Sequence, residues 1–225
     1  MAGLGWNDAD VQALHALRPL LDAGGFLPWT EGALRPAALL AVCNEIALAD
    51  RREVVVLGSG VSTVVLARLM RERGGRLTSV EHDPDWAILA GSQLEREGLG
   101  DVARLVEAPL EPHPLGLGDA PWYAAAALAE LPGTGEVELL VVDGPPGYGE
   151  GMERSRYPAV PALEDRLAAR AIVILDDADR PGEREILARW AEAGWRGSPG
   201  AEGLAILTRA AASPSGPSSG PSRPA

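Results

Sequence analysis

A chain of 225 residues is long enough for one domain with a full core, and its apolar fraction of 46% is ordinary for a globular protein. Its 32 acids outnumber 20 basic residues, all of them arginine, and the formal charge of −12 argues against a nucleic-acid backbone or an anionic membrane as partner. A single cysteine, Cys43, excludes an intrachain disulfide and a cysteine-built zinc site.

Residues 7–23 and 33–49 carry helical patterns ahead of the first strand. Apolar runs then recur at 53–58, 76–81, 103–108, 138–144, 171–177 and 203–209, with helix candidates near 62–72, 84–97, 120–130, 158–169 and 182–193. Near-continuous apolar strands separated by helices predict an α/β fold with a doubly wound, mostly parallel sheet and additional N-terminal helices. The domain is expected over residues 1–212, followed at 213–225 by "SPSGPSSGPSRPA", whose composition cannot bury a core and predicts disorder. No apolar run approaches the ~20 residues of a membrane-spanning helix, and the first residues lack the layout of a signal peptide. The cytoplasm is the expected compartment, and a homo-oligomer is compatible with the sequence.

In a sheet of this kind ligands bind beyond the carboxyl ends of the strands. Those ends read Gly58-Ser59-Gly60, Glu81-His82-Asp83, Glu107-Ala108-Pro109, Asp143-Gly144-Pro145 and Asp176-Asp177, so glycines and carboxylates gather on one edge. Gly58 and Gly60 permit backbone torsions closed to other residues and let a ligand approach bare main chain. Ser62 and Thr63 follow where a helix begins and offer N–H groups to an anion. The plainer alternative is a tight strand-helix turn with a serine cap. The dinucleotide fingerprint needs a third glycine where Thr63 stands, which disfavours a nicotinamide or flavin. Glu81, about twenty residues beyond the turn, stands where nucleoside-binding folds place an acid against ribose hydroxyls. His82 beside it is expected near the same ligand.

Asp143, Asp176 and Asp177 converge at the predicted sheet edge, with Asp179 close by. Clustered carboxylates repel, so one takes a proton or a cation neutralises them, and oxygen-only ligands suit Mg²⁺ or Ca²⁺ over zinc. The alternative for Asp177 or Asp179 is to cap the helix that contains "GEREILARW". "GYGEGMERSRYP", 147–158, is a long polar connection whose Arg154 and Arg156 either clamp an acidic substrate or are solvated. Trp29 is expected to pack under the N-terminal helices, with Thr30 beside it near the ligand.

The segments "VVVLGSGVST", "SVEHDP", "LVEAPL", "LLVVDGPPG" and "VILDDADRPGE" resemble those of class I S-adenosyl-L-methionine-dependent methyltransferases. More narrowly they are similar to a bacterial group whose fourth strand ends in Val-Asp-Gly-Pro-Pro and whose fifth ends in an acid pair. The resemblance spans about residues 26–209 and implies a Rossmann-like methyltransferase fold with S-adenosylmethionine as cofactor. It places Gly58, Ser59 and Gly60 against the methionine part, Glu81 on the ribose, and Ala108, Pro109 and Leu110 beside the adenine. The acids resemble those of catechol O-methyltransferase and its relatives, where an Asp after the fourth strand and an Asp-Asn pair after the fifth hold Mg²⁺. Asp143 and Asp176 match the two aspartates, and Asp177 stands in place of the Asn. Many class I enzymes carry an acid two residues before the first glycine, where this chain has Val56. The usual lysine base has no counterpart, because the chain contains no lysine.

The resulting expectation is O-methylation of a small molecule, with Asp143 and Asp176 as catalytic candidates and a divalent cation assisting. The proton would then pass to a side-chain base or leave a metal-bound hydroxyl. A non-catalytic nucleoside-binding module of the same fold is the alternative, and aminopropyl transfer is disfavoured by the acid pair and the Gly-Pro-Pro.

Overall fold

Val54, Val55, Val56 and Leu57 are all closed to solvent, which requires cover on both faces of the strand that carries them. The computed structural model, which describes residues 5–200 and 202–210, supplies that cover. Its helices are α1 (Asp8–Leu21), α2 (Pro36–Ala49), α3 (Val61–Arg73), α4 (Pro84–Arg96), α5 (Ala125–Leu128), α6 (Ala159–Leu163) and α7 (Pro181–Glu192). Its strands are β1 (Glu53–Leu57), β2 (Arg76–Glu81), β3 (Ala103–Glu107), β4 (Leu110–Pro112), β5 (Pro121–Tyr123), β6 (Val137–Val142), β7 (Leu167–Leu175), β8 (Trp195–Pro199) and β9 (Ala205–Arg209). The tail predicted at 213–225 lies outside the described residues.

Seven strands form one sheet in the order β3-β2-β1-β6-β7-β9-β8. The first five run parallel, β9 is antiparallel to β7, and β8 is antiparallel to β9. Successive side chains point to opposite faces, so each strand feeds two cores. Val54, Val56, Leu139 and Val141 pack with α1, α2 and α3, whereas Val55, Leu57, Leu140 and Val142 pack with α6 and α7. This is the doubly wound, mostly parallel sheet that the apolar runs predict. The direction of winding reverses between β1 and β6, so the turns that follow these strands diverge and leave a crevice.

Three segments differ from the sequence reading. Residues 120–130 do not form one helix: Pro121, Trp122 and Tyr123 pair antiparallel with β4, and only the short α5 follows. Aromatic residues favour a strand, and burying Trp122 and Tyr123 outweighs the helix propensity of the alanines that follow. The helix expected at 158–169 stops at Leu163 and passes through a 3₁₀ turn at Glu164–Arg166, so β7 begins earlier than its apolar run. β8 has no apolar alternation, because only Trp195 of this edge strand is buried. Its terminal proline is tolerated at an edge.

Candidate active site at the carboxyl edge of the sheet

The turn after β1 is built for close passage of another chain segment. Gly58 has φ +99°, and a Cβ there would lie 3.3 Å from the amide nitrogen of Gly144, which follows β6. The side-chain-free backbone at Gly58 therefore lets two strand-end turns pass. Gly60 differs, since a Cβ there would meet nothing within 4 Å. Thr63 holds the turn from inside α3: its Oγ1 accepts from Gly60 N at 3.3 Å and lies 3.0 Å from Ser79 Oγ, which donates to Gly58 O.

Glu81 ends β2 with its carboxylate buried among donors. Oε2 accepts from Ser59 N and Ser59 Oγ, each at 2.8 Å, and Oε1 accepts from His82 N at 2.8 Å and Asp83 N at 2.9 Å. His82 Nδ1 is also 2.8 Å from Oε1. Burial acts to raise the pKa, but the His82, Asp83 and Ser59 bonds outweigh it and hold the carboxyl below its ordinary value. A ribose diol would have to displace Ser59 Oγ or the His82 ring to reach these oxygens.

Asp143, Asp176 and Asp177 each offer a carboxylate oxygen, and the three atoms lie within 4.8 Å of one another. Burial foremost, then the Asp176 charge, pushes Asp143 well above the usual carboxylate range. Burial and Asp177 push Asp176 up to about 6. Asp143 and Asp176 lie close enough to bias each other's ionisation, so the two titrate as a pair.

The cluster also contains a cation of its own. Arg156 is 3% exposed: Nε donates to Pro145 O at 3.0 Å, Nη1 to Asp176 O and Asp177 Oδ2 at 3.1 Å each, and Nη2 to Asp143 O at 2.6 Å. This corrects both sequence readings of Arg156, since the side chain is neither solvated nor free to clamp a substrate. Arg154 is half-exposed and pairs at 3.5 Å with Glu185, as a surface arginine would. Arg180 Nη2 lies 2.8 Å from Asp177 Oδ1, so both oxygens of Asp177 face guanidinium groups. Buried Glu183 stands 3.8 Å from Arg156 and 3.9 Å from Arg180. Neither Asp177 nor Asp179 caps α7, whose N-cap is Arg180 with no side-chain cap bond.

These groups open into one cavity of about 750 Å³ over the crevice between β1 and β6. Gly58, Ser59, Gly60, Glu81, His82, Asp143, Asp176 and Asp177 all line it, so the structure brings together most of the residues the sequence singles out. Ser62, Ala108, Pro109 and Leu110 are not part of its lining. Ser62 is buried within α3, Ala108 is buried with its N–H donated to Glu81 O, and Leu110 pairs with Tyr123 in the small hairpin. Thr30 reaches the rim, while Trp29 packs against the core and stacks edge-on with Trp6. Trp86 and Tyr123 also line the cavity and were missed in the sequence reading. Tyr123 falls inside the segment read as a helix, and Trp86 sits in an ordinary amphipathic pattern.

A family model described as a methyltransferase domain matches residues 55–178, more than half of the chain. The chain belongs to this methyltransferase family. The matched span runs from β1 through Asp177 and so contains the glycine turn, Glu81, Asp143, Arg156 and the acid pair. No curated protein matches the chain in sequence. Among solved structures it is similar to the S-adenosylhomocysteine-bound methyltransferase PaMTH1 of Podospora anserina, at 16% identity over 92% of this chain and 89% of that one, with a TM-score of 0.60. It is also similar to an O-methyltransferase from Bacillus cereus in complex with S-adenosylhomocysteine, at 14% identity, 92% and 93% coverage, and TM-score 0.56. A third is TomG, an O-methyltransferase of Streptomyces achromogenes involved in tomaymycin synthesis, in complex with S-adenosylmethionine, at 17% identity, 93% coverage of both chains and TM-score 0.56. At such identities these likenesses establish the fold, and the methyltransferase domain has the Rossmann-like architecture expected of it.

Proposed function

We propose that this methyltransferase domain carries a methyl group from S-adenosylmethionine to an oxygen of a small molecule. The observation that carries the reading is the opening of the glycine turn, Glu81 and the Asp143–Asp176–Asp177 cluster into one cavity at the point where the winding reverses. When bound, the cofactor supplies an electrophilic methyl on a sulfonium. Gly60 presents unobstructed backbone to it, and Glu81 with His82 faces its nucleoside end. The solved structures with bound S-adenosylmethionine or its product support this choice of cofactor. With no lysine in the chain, we assign Asp143, which burial keeps protonated, to orient the substrate hydroxyl, and Asp176, which ionises more readily, to accept its proton.

The same proposal includes a divalent cation, Mg²⁺ or Ca²⁺, on Asp143, Asp176 and Asp177. The donor set fits: it is all oxygen, and the four carboxylates of the cluster, counting Glu183, exceed the two guanidiniums of Arg156 and Arg180. Such an ion would help acidify a hydroxyl placed on it. A second reading rests on Arg156 and Arg180, whose guanidiniums take both oxygens of Asp177 and already neutralise part of the cluster. On that reading the domain works without an ion.

Calorimetric titration with S-adenosylhomocysteine, in chelator and in excess Mg²⁺ or Ca²⁺, tests both parts. Binding at micromolar strength, on the order of −8 kcal/mol, is expected. Heat no different from dilution would refute the cofactor, and identical melting curves in chelator and with either ion would leave Arg156 as the cluster's cation.

A further inference from the structure

Tyr123 is the last residue of β5, held in register opposite Leu110, and its side chain is fully enclosed between the small hairpin and the main sheet. Its ring meets Trp122 edge-on at 5.6 Å. Its hydroxyl reaches the place where the turns after β1 and β6 pass one another, so close that a Cβ on Gly144 would collide with it. Among the described residues no group meets that hydroxyl in hydrogen-bond geometry, and the nearby Gly58 N–H is already donated to Val80 O at 2.8 Å. Burial first, and then the carboxylates of Glu81 and Asp143, keep the phenol protonated far above its ordinary pKa. It is therefore a neutral group that can both donate and accept.

An enclosed hydroxyl without a partner costs stability, and a phenylalanine would fill the same space without that cost. The neighbouring indole N–H of Trp122 is also unpartnered, but Trp122 does not line the cavity, whereas Tyr123 does. From this geometry we infer that Tyr123 is a ligand-binding residue, whose hydroxyl bonds to the part of the ligand that lies in the cavity against the turns after β1 and β6. The inference rests on the proposed function, under which that part is the amino-acid end of S-adenosylmethionine or S-adenosylhomocysteine.

The test compares full-length wild type, Tyr123→Phe and Trp122→Phe, with S-adenosylhomocysteine as the probe. Without ligand, Tyr123→Phe is expected to melt at the wild-type temperature or above it, because only an unpartnered hydroxyl is removed. Titrated well below its melting transition, it should bind the probe about tenfold more weakly, the effect of one lost hydrogen bond. Trp122→Phe, which disturbs the same hairpin, should keep wild-type affinity. Equal affinity in wild type and Tyr123→Phe overturns the inference, whatever happens to the melting temperature. An equal loss in Trp122→Phe also overturns it, because the hydroxyl would then act through packing alone. Failure of the wild type to bind refutes the proposed cofactor and this inference together, and is distinguished by appearing before any substitution is made.

Discussion

Two carboxylates of one cavity respond to pH in opposite directions. Glu81 is held below its ordinary value, so its stabilising contribution is present above about pH 4.5 and is lost as the pH falls through its folded pKa. Asp176 is pushed up to about 6 from 3.8, so between those values the folded state keeps a proton that the unfolded chain has lost. Stability contributed by Asp176 therefore declines as the pH rises across that window and stays low above it. Asp176→Asn keeps the shape and removes the charge. Relative to wild type it should gain little stability near pH 4, more by pH 6, and the full amount at pH 7.5. Urea unfolding at those pH values in chelator measures the difference, and a mutant advantage that shrinks with rising pH would contradict it. Added Mg²⁺ should then raise the wild-type midpoint more than the mutant's if the ion uses this carboxylate. Glu81→Ala should cost about 3 kcal/mol near neutral pH, because it strands the backbone donors of Ser59, His82 and Asp83. Lost ligand binding in that variant is meaningful only beside its melting curve.

At the scale of elements, Arg156 does what no strand or helix does: it ties the turn after β6 to the turn after β7. Its donors reach Asp143 O and Pro145 O on one side, and Asp176 O with Asp177 on the other. Arg156→Met removes those bonds and leaves buried acids uncompensated, which should cost about 3–5 kcal/mol in urea unfolding. Arg156→Lys keeps the charge but lacks the planar fork and should recover only part of the loss. A near-neutral Arg156→Met would show that the turns hold themselves. The sequence reading of these elements succeeded where burial is continuous. β1, β2 and β6, buried or nearly so on both faces, lie within two residues of their apolar runs, as does the edge strand β3, where only Ala103 and Val106 are buried. It failed at β5, where three residues carry the strand and alanines dominate the window, and at β8, where a single tryptophan is buried. In the site, strand-end glycines and acids were legible because topology alone places them on one edge. Arg156 was not, since a buried arginine in a polar loop has no periodic signature. The donors that saturate Glu81 come from turn geometry, which composition does not encode.

Across the whole molecule, the N-terminal helices are coupled to the cavity rim through one buried acid. Asp10 of α1 is closed to solvent and accepts from Asn7 N and Ala37 N at 3.2 Å each, and from the Arg35 guanidinium. Burial alone would raise its pKa, but these bonds hold it below the ordinary value. Arg35 itself lines the cavity, as does Glu202, which accepts from Asn7 Nδ2 at 2.8 Å and lies 3.8 Å from Arg35. The start of α1, the start of α2 and the turn before β9 thus meet at the cavity, and Gly203 O of that turn accepts from Ala178 N at 2.7 Å, next to the acid pair. Asp10→Ala removes the shared acceptor, leaves the Ala37 N–H unsatisfied and leaves Arg35 with only Gly5 O, Glu202 and solvent, which should cost about 1–3 kcal/mol. Because α1 and α2 keep their apolar contacts with α3, the domain should remain folded. Arg35 would lose its fixed position at the rim, so the variant should bind S-adenosylhomocysteine more weakly and release it faster. Asp10→Asn, which keeps an acceptor for Ala37 N but no charge for Arg35, should fall between the two in both stability and affinity. Stopped-flow release of the probe, measured beside urea unfolding, separates the effects. If stability falls while the release rate stays at the wild-type value, the N-terminal helices only cover the core and do not hold the rim.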